Sequence, residues 1–121
     1  MNIRPCSLTG RERAILQPAV DRGGHDWTEI EGWLADGCGQ LWDIDGRAVC
    51  LTVAYEDNTL VAVLMAGEGA REWVPPFVEA MRSVPQHRGM RFQAIGRKGW
   101  ARLLPGWRCD DRGDHVILTE P

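Results

Sequence analysis

The chain has 121 residues, 44% of them hydrophobic, enough for one core and too few to divide comfortably into two, so a single domain over residues 1–121 is expected. Fourteen Lys and Arg against seventeen Asp and Glu give a formal charge of -3, which excludes a general attraction to nucleic acid or anionic lipid and makes any basic site a local one. No apolar run approaches the roughly 20 residues of a membrane span, and residues 1–13 lack the apolar segment of a signal peptide, so a cytoplasmic protein with no membrane partner is expected.

Residues 2–5 read as a short extended start. Thr9 stands three residues before Glu12, a capping-box spacing that opens a helix with Ala14, Ile15 and Ala19 on its apolar face; Pro18 is expected to kink or end it before Gly23-Gly24. Asp26 and Glu29 repeat the capping logic, and Trp27, Ile30, Trp33 and Leu34 recur at helical spacing up to Asp36-Gly37. From Gln40 the period changes to that of strands. Asp45-Gly46 is a type I′ hairpin signal, residues 48–55 are apolar and β-branched, and Asp57-Asn58 turns the chain into a further strand over residues 60–65.

Gly67-Glu68-Gly69 then precede a helix whose Trp73, Phe77, Val78, Met81 and Val84 share one face, with Pro75 and Pro76 expected in its first turn. Residues 90–95 read as a strand, Lys98 to Leu104 as a short helix stopped by Pro105-Gly106, and residues 107–109 and 116–119 as a hairpin. The expected class is α+β: one mixed sheet flanked by helices, in the order β-α-α-β-β-β-α-β-α-β-β. The helix after the fourth strand is a crossover of the kind that joins parallel strands.

Three segments carry a resemblance. NIRPCSLTGRERAIL at the N-terminus, GEGAREW at residues 67–73 and GWARLLPGW at residues 99–107 together resemble, in order, the GCN5-related N-acetyltransferase (GNAT) family, and residues 96–107 are similar to small GNAT-like proteins of tailed phages and prophages. The resemblance implies a GNAT-like fold and acetyl-CoA as cofactor. It assigns the diphosphate to Gly67, Gly69 and Ala70, where backbone N–H groups at a helix N-terminus favour an anion. It also implies a phage or prophage origin, other phage or bacterial proteins as partners, and a place in the host cytoplasm or on the virion.

The chain departs from that family's pattern at informative positions. Leu64 replaces the leading Gln or Arg of the diphosphate loop, Glu68 puts a negative charge into it, and Arg102 stands where many members place a tyrosine acid. General-base catalysis needs a carboxylate or an ordered water, and Glu56 and Asp57 are the nearest candidates, although a turn role suits them as well. The expectation is therefore a degenerate GNAT-like binding or structural module, with an acyl-CoA-dependent N-acyltransferase as the alternative.

The remaining chemistry-bearing residues have plainer readings. Arg97, Trp100 and Arg102 could face a partner, since Trp and Arg dominate binding hot spots, but an internal carboxylate such as Glu72 or Glu79 would equally neutralise such cations. His25, His87 and His115 sit in turns and are expected at the surface. Cys6, Cys38, Cys50 and Cys109 show no metal spacing, so neither a metal site nor a disulfide framework is expected. No helix-turn-helix, RNP motif or basic stripe supports nucleic-acid binding.

Overall fold

In the computed structural model, which describes residues 1–121, the chain forms seven strands, three α-helices and two 3-10 turns. β1 (Ile3–Cys6) leads into α1 (Gly10–Gly23) and α2 (Trp27–Asp36), followed by β2 (Gly39–Ile44), β3 (Ala48–Ala54) and β4 (Thr59–Gly67). After α3 (Ala70–Ser83) come β5 (Arg91–Gly96), β6 (Arg108–Asp111) and β7 (Val116–Thr119).

Local chemistry sets most boundaries. The Thr9 backbone N–H donates to Glu12 Oε1 at 2.9 Å, and Asp26 Oδ1 accepts the Glu29 N–H at 2.8 Å, so both N-termini are capped as their spacing predicts. Asp45 and Gly46 take φ values of 57° and 73°, the positive pair that a type I′ hairpin requires. Other expectations change. The buried face of α1 is Leu16, Ala19 and Val20 with Glu12, while Ala14 is exposed. α1 also runs through Pro18 to Gly23; Pro18 and Ala14 are both exposed, so the Ala14 carbonyl that loses its donor is open to water. Pro75 and Pro76 likewise stand sixth and seventh in α3, beyond its first turn.

All seven strands form one sheet in the order β1-β2-β3-β4-β5-β7-β6, antiparallel throughout except for the parallel pair β4–β5. Each face has its own core. Against one, α3 packs Trp73, Phe77 and Met81 on strand residues reaching from Trp42 in β2 to Leu118 in β7. Against the other, α1 and α2 pack Leu16, Val20 and Ile30 on Leu41, Val49, Leu51, Val61 and Val63, all from β2, β3 and β4. Fully burying a side chain of this size contributes roughly 1.5–3 kcal/mol, so both faces carry a substantial share of the stability.

The expected helix-flanked, GNAT-like arrangement does not form. Lys98–Arg102 is a five-residue 3-10 turn, so the helix expected before β6 is absent and the chain is strand-rich, with three helices to seven strands. With Gly96 before it, Gly99 inside it and Pro105-Gly106 after it, that segment is too short and too interrupted to nucleate α-helical turns. The sheet is also not flanked as the GNAT-like arrangement requires. On the α1–α2 face no residue of β5, β6 or β7 is fully buried, and Gln93, Ile95, Ile117 and Thr119 remain half-exposed there.

Candidate functional site

The feature that sets this sheet apart lies in its only parallel pair. β4 and β5 pair from Thr59 opposite Arg91 to Ala62 opposite Ala94 and then part. Beyond that point Leu64–Gly67 pair with β3 alone, and Ile95 and Gly96 with β7 alone, so the two facing strand edges lack ladder partners. The cause is visible one strand away. Between Leu51–Leu64 and Thr52–Ala62 the β3–β4 register shifts, leaving Val63 as one extra residue in β4. Such a bulge bends its strand and raises the local twist, which turns the end of β4 away from β5.

A cavity of about 540 Å³ occupies this gap. Val63, Leu64, Met65 and Ile95 supply its apolar surface. Trp100 packs in the core under α3, 5.9 Å between centroids from Trp73, yet also lines this cavity on the opposite face of the sheet, so its indole closes the gap from below. A methyl group on Gly96 would meet Trp100 Cδ1 at 2.6 Å, so this ring needs a glycine beside it.

The polar wall comes from the end of α1, the α1–α2 link, the residue after β5 and the β6–β7 loop. Arg22 and Arg97 are exposed and form no ion pair, whereas Lys98 pairs with Asp111 at 3.5 Å. His115 Nδ1 lies 2.6 Å from Asp114 Oδ1, an interaction that holds the Asp114 carboxyl below its ordinary range. His25 Nδ1 lies 2.9 Å from Glu29 Oε1. Two cations without partners beside two unpaired strand edges make an electropositive slot lined with free backbone polar groups.

The residues singled out from sequence are dispersed by the fold. Arg97 and Trp100 line the cavity, but Arg102 is exposed and lies outside it. Glu56 and Asp57 sit in the β3–β4 turn, at the opposite end of β4 from Gly67, and Asp57 Oδ1 accepts the Thr59 N–H at 3.2 Å as turn carboxylates do.

Gly67 and Gly69 have a packing explanation. At φ values of 128° and 79°, a Cβ on Gly67 would lie 2.4 Å from the Arg47 carbonyl oxygen, and one on Gly69 2.8 Å from Arg47 Nη1. The Arg47 guanidinium thus lies against Gly69, paired with Glu72 of the first turn of α3 at 2.8 Å, with Ala70 opening that helix beside it. None of these loop residues lines the cavity.

His87 is not a surface residue in the expected sense. Its Nδ1 lies 2.7 Å from the Met81 carbonyl oxygen and its ring meets Trp42 edge-on at 6.1 Å, a tether for the end of α3. Of the six tryptophans, Trp42 and Trp73 are buried and the others half-buried, so they form no exposed patch.

Sequence reasoning misses Arg22, His25, His115 and the gap itself. The Val63 bulge, a long-range register effect, lies at the gap around which α1, the α1–α2 link and the β6–β7 loop place these side chains. No helix of the protein is long and apolar enough to cross a membrane. A scan against protein-family models finds no match, and searches of curated proteins and of solved structures find none either.

Proposed function

We propose that this chain is a binding module whose ligand enters the gap between β4 and β5, and that it is not an efficient enzyme. The divergence of the two parallel strands beyond Ala62 and Ala94 carries this reading. It exposes backbone donors and acceptors that an extended, amide-bearing molecule satisfies, and Arg22 and Arg97 add recognition of an anionic group. Against turnover stand the positions of Glu56 and Asp57 at the far end of β4 and of Arg102 outside the cavity. The likeness of residues 96–107 to phage-encoded proteins supports a phage or prophage origin, a cytoplasmic or virion location, and phage or bacterial proteins as partners.

An acyl-CoA is the first ligand to test, because its pantetheine arm carries two amides and its diphosphate an anion. The same observation that favours the module therefore keeps acyl transfer to an amine as the second reading. In that case the diphosphate would have to displace Arg47 from Glu72 to reach the amides at the start of α3.

Calorimetric titration with acetyl-CoA separates these readings. We expect binding that weakens about tenfold in Arg97→Glu, the effect of reversing one charge at a partly desolvated site, with no thiol released when simple amines are added. Steady release of CoA thiol overturns the non-enzymatic assignment. Absence of binding at millimolar acetyl-CoA removes this cofactor from both readings.

A further inference from the structure

The cavity in the gap does not end at Ile95. A second, more open cavity of about 810 Å³ begins there, running toward the other end of β4 along the same uncovered half of the sheet. Ile95 lines both, and the walls are joined too: His25 of the first packs edge-on against Trp33 of the second, 6.2 Å between centroids. The two adjoin at Ile95 and together make a trough, with Val63 lining its near part and Val61 and Gln93 its far part.

Its ends carry opposite charge. At the far end Asp36, Glu56 and Asp57 face a single cation, Arg91, and neither Asp36 nor Glu56 has an ion-pair partner. Tyr55 stands beside them 43% exposed, an aromatic face of the kind that accompanies bound ammonium groups. At the near end Arg22 and Arg97 outweigh Asp114, which is itself engaged by His115.

We propose that this trough takes a short peptide with free termini, its ammonium held by the Tyr55–Asp57 end and its carboxylate by Arg22 and Arg97. This rests on the reading of the gap as a ligand slot and names the ligand class. From Thr59 to Met65 the strand rises about 20 Å, and an extended pentapeptide spans about 17 Å. A single amino acid is too short to reach both ends. An acyl-CoA supplies an anion and amides but no cation. A peptide supplies both charges at the required spacing, together with amides for the open edges of β4 and β5.

The test is an NMR titration of the isotopically labelled chain with penta-alanine in four forms: free, N-acetylated, C-amidated and doubly capped. The free peptide is expected to shift the amides of Val63, Leu64, Met65 and Ile95. Capping either end should weaken binding by about fivefold, the worth of one half-exposed ion pair.

Variants assign the ends. In Arg22→Gln/Arg97→Gln the free and C-amidated peptides should bind alike, and in Asp36→Asn/Glu56→Gln/Asp57→Asn the free and N-acetylated peptides should. Equal binding of all four forms to the wild type, or no shifts at millimolar peptide, overturns the proposal. Acetyl-CoA titrated in parallel separates the two levels: shifts at these amides with a silent peptide leave the gap a ligand slot, whereas silence from both overturns the slot as well.

Discussion

A methyl group in place of the Gly67 hydrogen would lie 2.4 Å from a backbone carbonyl oxygen, at a φ of 128° that side chains rarely adopt. Neither obstacle yields cheaply, because the obstructing atoms are main chain of Arg47 and Ala48, where the turn enters β3. Gly67→Ala is therefore expected to cost about 2–3 kcal/mol, read as a lowered urea midpoint at unchanged slope. Gly32 supplies the contrast. It sits inside α2, exposed, with nothing within 4 Å of where a methyl group would stand, so Gly32→Ala should stabilise by about 0.5–1 kcal/mol through helix propensity and a less disordered unfolded chain. The pattern Gly-x-Gly before a helix is shared by anion loops and by tight packing turns, so sequence alone does not distinguish them. The Arg47 backbone beneath Gly67 is a long-range contact, and it requires a glycine at this position for packing whether or not the loop also meets an anion.

At the scale of single elements, what is legible in the sequence is what is local. The Thr9–Glu12 cap has a consequence that can be titrated. The Thr9 hydroxyl, the Thr9 backbone N–H and Arg11 hold the buried Glu12 carboxyl down at about 2, against an ordinary 4.5. Because the folded chain favours the carboxylate, the stabilisation is complete above the unfolded value near 4.5. It is lost as pH falls toward 2 and absent below that. Glu12→Gln should cost about 1–3 kcal/mol at neutral pH, and urea melts of variant and wild type should converge as pH drops through this window. A constant difference between pH 6 and pH 2.5 would show that the carboxylate charge is not what matters.

Caps, the Asp45-Gly46 turn and the crossover helix are all readable because each depends on residues within a few positions. The buried face of α1 escapes such a reading because it is chosen by the strands beneath it. Lys98–Arg102 has the apolar spacing of a helix, while its glycines and short length leave only a 3-10 turn. The candidate site is least legible. Val63, Arg97 and His115 meet through strand register and Arg22 through the packing of α1 on the sheet, and no local pattern announces a bulge at Val63.

Over the whole molecule, the unequal covering of the sheet ties stability to function. β3 is enclosed between α3 on one face and α1 with α2 on the other, and Ala48 to Val53 are all buried. β6 is an edge strand with four exposed residues, paired in the sheet with β7 alone and tied otherwise by the exposed Lys98–Asp111 ion pair. Local opening is cheap where little apolar contact is lost, so protection should fall across the sheet and not be uniform. In hydrogen exchange, the amides of Val49, Cys50 and Leu51 should require global unfolding, while those of Cys109 and Asp110 exchange orders of magnitude faster through fraying. The β5–β7 pair should lie between them. A ligand seated in the trough bridges α1 and α2 to β5 and the β6–β7 loop, so its binding should slow exchange in β5 and β7 and leave β3 unchanged beyond the linkage increment common to all globally exchanging amides. Uniform slowing across all seven strands would instead mark a ligand that stabilises the fold without touching the uncovered half of the sheet.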